Sequence, residues 1–120
     1  MDRDRFRRLV LRALATLPAE FSRRLSNLEV VVRREPTATD LEAAGLEHGE
    51  TLFGLYVGTP LTARADYHMT LPDRIVIFQG PLQRHTHPRS IPDEVRATVV
   101  HELAHHFGID DERLRALGRD

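Results

Sequence analysis

Apolar residues at Phe6, Leu9, Val10, Ala13, Leu14 and Leu17 recur every three or four positions. That stripe predicts an amphipathic helix over residues 4–17, with Arg5, Arg7, Arg8 and Arg12 mostly on the other side of the wheel. Pro18 suits the first turn of a second short helix that turns Phe21 and Leu25 inward. Residues 28–32 are apolar and largely β-branched, and Asn27 and Glu35-Pro36 bound them, so a strand is predicted there. Thr39-Asp40 to Ala44 reads as a capped short helix that Gly45 stops. Residues 52–57 form a second strand closed by Gly58 and Pro60, and residues 62–71 read as a loop. Asp73-Arg74 lead into a third strand over 75–78, which Gly80-Pro81 end, and a polar stretch with His and Pro follows from Arg84 to Pro92.

Pro92-Asp93-Glu94 then open the strongest helix of the chain. Proline and acids both favour a first helical turn. Val95, Val99, Leu103 and Phe107 make its apolar stripe, and Gly108 is a natural stop. Asp110 to Leu117 read as a final helical turn or two. There is no internal repeat, no low-complexity tract and no linker, so one domain is expected over residues 1–120.

Composition narrows the function. The chain is 41% hydrophobic and 29% charged, a globular balance that can bury a core without a metal to fold it. Its 17 basic residues, all Arg, face 18 acidic ones. The near-neutral total removes the general phosphate attraction on which nucleic-acid binding rests, and the pairs Arg7-Arg8, Arg23-Arg24 and Arg33-Arg34 read as solvated faces. With no Cys, disulfides, thiolate metal sites and a Cys nucleophile are excluded. No apolar run approaches the roughly 18 residues of a membrane helix. Arg12 interrupts the short apolar run after the basic N-terminus, so no signal peptide and a cytoplasmic location are expected. Seven His remain as the compositional oddity, and His is the commonest metal ligand.

Two of those histidines sit in the strong helix, in the run His101-Glu102-Leu103-Ala104-His105. Residues four apart stack one turn up on one helix face, so His101 and His105 can aim two imidazoles at one metal ion. Glu102 lies about 100° round from His101, on the side where a metal-held water would sit. Zinc lowers the pKa of such a water towards ~7, and a nearby carboxylate can take its proton. Two imidazoles need a third ligand. Gly108 allows the chain to turn sharply, and either Asp110 or Asp111 can then fold back; geometry alone does not choose between them. The five-residue core is a modest signal, and Gly108 and Asp111 at fixed offsets make the extended form far rarer by chance.

The stretch His101-Glu102-x-x-His105-x-x-Gly108-x-x-Asp111 resembles the extended zinc signature of the metzincins in its Asp-ended form. More closely, the run from Thr98 to Asp110, with Gly-Leu-Tyr at 54–56, Pro-Leu-Thr at 60–62 and Leu-Pro-Asp-Arg-Ile at 71–75, resembles the small bacterial minimal-zincin metallopeptidases. The likeness runs from about Thr51 to Leu117. It implies Asp111 as the third ligand beside His101 and His105, one Zn²⁺ ion, and Glu102 as the catalytic base. It also implies an α+β fold, a small mixed sheet backed by the N-terminal helix and the zinc-bearing helix. The nine residues after Asp111 contain no Met, so the Met-containing turn of the metzincins is not expected.

The expected function is therefore a zinc metalloendopeptidase acting on a peptide or protein substrate. The edge that receives the peptide is expected at 52–57, with the strand at 74–78 further inside. The alternative is a zinc-binding adaptor module with little proteolysis, or an enzyme that needs an activating protein partner. Lesser candidates are His106 as a residue supporting the ligands, and His85, His87, Tyr67 or His68 as oxyanion stabilisers.

Overall fold

The computed structural model describes residues 1–25, 28–46, 51–58 and 73–107. Helix α1 spans Arg3–Leu14, and the Asp2 carboxylate caps it by accepting the Arg5 N–H. It ends three residues earlier than its apolar stripe suggests, in a tight turn where the Leu17 N–H reaches the Leu14 carbonyl. Leu17 is buried all the same. Helix α2 (Ala19–Leu25) follows Pro18, whose carbonyl accepts from Phe21 and Ser22. Strand β1 is Leu28–Arg33 and helix α3 is Ala38–Ala43. The cap of α3 is Thr37 rather than Thr39. Thr37 and Asp40 exchange side-chain and backbone hydrogen bonds at 3.1 and 2.8 Å, a reciprocal capping box. Gly45, at φ +74°, ends this helix as expected.

Strand β2 (Gly54–Val57) and strand β3 (Asp73–Phe78) complete a sheet of order β1-β3-β2. β3 pairs parallel with β1 and antiparallel with β2, so the sheet is mixed. The central strand is buried on both faces, which is why residues 75–78 read as an unbroken apolar run. Ile75 and Ile77 face a core built with Phe6, Val10, Phe21 and Leu82. Val76 and Phe78 face a smaller cluster with Leu52 and Leu55, against which Leu41, Ala44 and Leu46 pack. Helices packed on this small mixed sheet make an α+β fold.

The chain differs from expectation after β3. Gly80-Pro81 do not break it; they open helix α4 (Gln79–His85). Pro81 falls in the first turn, where a missing N–H costs nothing, and both Pro81 and Leu82 are buried. Part of the stretch expected to be irregular is thus helical. A short 3₁₀ turn (Pro88–Ser90) leads into helix α5 (Ile91–Phe107), the strong helix of the sequence. Val95, Val99 and Leu103 are fully buried, and α5 packs against α1 and β2. The loop expected at 62–71 and the final turns at 110–117 lie outside the described residues.

Candidate metal and peptide site at the edge of the sheet

Among the described residues, the order β1-β3-β2 leaves β2 at one edge of the sheet and β3 inside, as expected. The Phe78 N–H bonds to the Phe53 carbonyl at 2.8 Å, which sets the phase of the antiparallel ladder. Leu55 and Val57 therefore point their backbone groups at β3, and Gly54 and Tyr56 point theirs away from it. The outward backbone groups of β2 are thus those of Gly54 and Tyr56, and both residues are buried.

Helix α5 lies close beneath this edge because Gly54 has no side chain. A Cβ there would stand 2.5 Å from the Thr98 methyl and 3.2 Å from the Val76 carbonyl. One turn beyond Thr98 comes Glu102, half-buried. Its carboxylate Oε2 accepts the outward N–H of Tyr56 at 3.1 Å. The Tyr56 hydroxyl in turn donates to Asp73 Oδ2 at 2.7 Å and ties the end of β2 to the start of β3. The contact between Glu102 and Tyr56 spans 46 residues and was not legible in the sequence, which offers only a glycine in a strand as a sign of close approach.

His101 is exposed on α5, next to Glu102. His105 stands one turn further along the same helix; its side chain, that of His106, and the whole of Asp110 and Asp111 lie outside the described residues. Among the described residues no three metal-binding side chains cluster. The donor set expected from the sequence, two imidazoles and a carboxylate, suits zinc; of it the described side chain is that of His101, exposed beside the half-buried, hydrogen-bonded Glu102.

The remaining histidine candidates are placed in part. His85 ends α4 with its ring 6.3 Å from that of Phe53, and His87 Nδ1 accepts the Arg89 N–H at 3.1 Å. Tyr67 and His68 lie outside the described residues. Of the arginines read as solvated, Arg7 is exposed and donates to the Val30 carbonyl at 3.2 Å, and Arg33 stands 3.7 Å from Asp40.

An α+β domain whose last long helix carries two histidines and a glutamate beside a sheet edge has the architecture of a zincin. The model of the zincin-like metallopeptidase family matches residues 25–119, and the chain belongs to that family. No curated protein matches it. Among solved structures it is similar to a conserved hypothetical protein from Thermo thermophilus, at 24% identity and a TM-score of 0.59. That match covers 99% of this chain and 100% of the other, and it concerns the fold. Among the described residues no helix is long and apolar enough to cross a membrane.

Proposed function

We propose that the protein is a zinc-dependent endopeptidase in which His101, His105 and Asp111 hold the metal and Glu102 is the general base. The observation that carries this reading is the position of Glu102, whose carboxylate is fixed at the outer edge of β2 by the Tyr56 N–H. Family membership supports it. Zinc bound there supplies a Lewis acid for a peptide carbonyl and brings the pKa of water towards ~7.

The chain's own residues do the rest. An extended peptide pairs with the outward backbone groups of Gly54, by strand addition, while the Tyr56 N–H stays on Glu102. That pairing presents the scissile bond beside Glu102, which takes a proton from the attacking water and hands it to the leaving amine. The hydrogen bond from Tyr56 holds the carboxylate in place, so little orientation is left to be gained at reaction.

The test is Glu102→Gln. The amide keeps the size of the side chain and is not a ligand in this reading, so zinc content should stay at the wild-type level. Cleavage of an unstructured polypeptide should fall by roughly 10²–10⁴, the factor assigned to general acid–base catalysis. Unchanged cleavage in the variant rejects the mechanism. Zinc in both forms with cleavage in neither rejects the enzyme and leaves a zinc-binding module.

A further inference from the structure

Strand β2 is four residues long, and Tyr56 is its penultimate residue. Val57, the last, is 38% exposed. The end of so short an edge strand is where a ladder opens first, because few contacts hold it. Yet it is there that the Tyr56 N–H meets Glu102 Oε2, at 3.1 Å. We propose that Asp73 is a positioning residue of the candidate site: by accepting the Tyr56 hydroxyl it fixes the Tyr56 backbone, and through it the Glu102 carboxylate. The inference rests on the reading of Glu102 as general base.

The register explains why a tyrosine does this. Tyr56 stands opposite Ile75 in the antiparallel pair. Asp73 lies two residues before Ile75 on β3, so it is the diagonal neighbour of Tyr56 on the same face. Diagonal neighbours are about 7–8 Å apart, a gap that an aromatic side chain spans and a short one does not. The hydroxyl reaches Asp73 Oδ2 at 2.7 Å. On the way the ring is 8% exposed and belongs to the main core with Ile75 and Ile77. A tyrosine has two side-chain torsions. With the ring packed and the hydroxyl tied, neither turns freely, and the backbone that carries them is held as well.

A buried tyrosine needs an acceptor for its hydroxyl in any case. What gives this one a further consequence is that the same residue carries both bonds. Its O–H goes to the first residue of β3 and its N–H to the carboxylate on α5. Glu102 is a long, half-buried side chain, and the Tyr56 N–H restricts the rotamers open to it. A phenylalanine at position 56 would fill the same space in the core and leave that N–H without its second anchor.

Tyr56→Phe and Asp73→Ala each remove one end of the bond, whereas Asp73→Asn keeps an acceptor. The Tyr56 amide is the direct reporter, because it bonds to Glu102 and takes no part in the ladder with β3. In the full chain, hydrogen exchange followed by NMR should show this amide exchanging roughly tenfold faster in Tyr56→Phe and Asp73→Ala, and near the wild-type rate in Asp73→Asn. Leu55 and Val57 should keep their rates. In zinc-loaded protein, kcat on an unstructured polypeptide should fall roughly tenfold in the same two variants with KM kept, and the double variant should lose no more than either single one. Circular dichroism verifies the fold of each variant.

A wild-type exchange rate at Tyr56 in Asp73→Ala overturns the inference and leaves the reading of Glu102 standing. So does faster exchange shared by Leu55 and Val57 together with a raised KM, the mark of a strand end that merely frays. Faster exchange at Tyr56 with cleavage absent from the wild type overturns the peptidase reading, and the role of Asp73 with it.

Discussion

At the scale of single residues, Glu102 and Tyr56 carry the functional argument. The identity of Glu102 and its place one residue after His101 were legible in the sequence, since helical spacing alone puts them side by side. Its partner was not, because a backbone N–H has no signature in a side-chain pattern. A second pair shows how exposure limits what a contact does. Arg84 forms a bidentate bond to Glu35, at 2.7 and 2.9 Å, across the surface between α4 and the end of β1. The hydrogen bond from Arg84, with its charge and that of Arg34, holds the Glu35 carboxyl below its ordinary value. A lowered folded pKa means a contribution present above the unfolded carboxyl pKa and lost as pH falls through the folded one. Both side chains are about half exposed, so the contribution is small. Chemical denaturation should find Glu35→Gln slightly less stable than wild type at neutral pH, with the gap closing in acid. A gap that widens as the pH falls contradicts this.

At the scale of elements, the packing of α5 on β2 is the contact that places the site. Gly54→Ala puts a methyl against Thr98 and close to the Val76 carbonyl, so α5 must move or the strand must bend. A cost of about 1–3 kcal/mol is expected in denaturant unfolding, typical of an overpacked core. The double variant with Thr98→Ser, which removes the opposing methyl, should recover part of it. Thr37→Ala removes the reciprocal cap of α3 and should cost about 1 kcal/mol. Most elements were legible because each carries its own signal: a period of 3.6 for α1, a Pro-Asp-Glu start and an apolar residue every fourth position for α5, and short β-branched or unbroken apolar runs for β1 and β3. Helix α4 was not, because Gly80-Pro81 is a breaker in a helix interior and a tolerated pair in a first turn. Only the tertiary position of Leu82, buried against the main core, decides which applies. The edge position of β2 followed from the family resemblance rather than from its own residues.

At the scale of the whole molecule, the two cores formed by the described residues close on the sheet through apolar side chains. Chelation should therefore leave the far-ultraviolet circular dichroism largely intact and lower the melting temperature, because it removes the stabilisation by mass action, about 2.7 kcal/mol when free zinc exceeds its dissociation constant a hundredfold. A random-coil spectrum on chelation would instead make zinc a folding ligand. The central claim is a metal held by three particular residues, and elemental analysis of protein purified without added metal or chelator tests it most directly. One zinc per chain is expected for the wild type and for Asp110→Ala, with near-complete loss in His101→Ala, His105→Ala and Asp111→Ala. A wild-type protein without zinc, or loss in Asp110→Ala with retention in Asp111→Ala, contradicts the assignment.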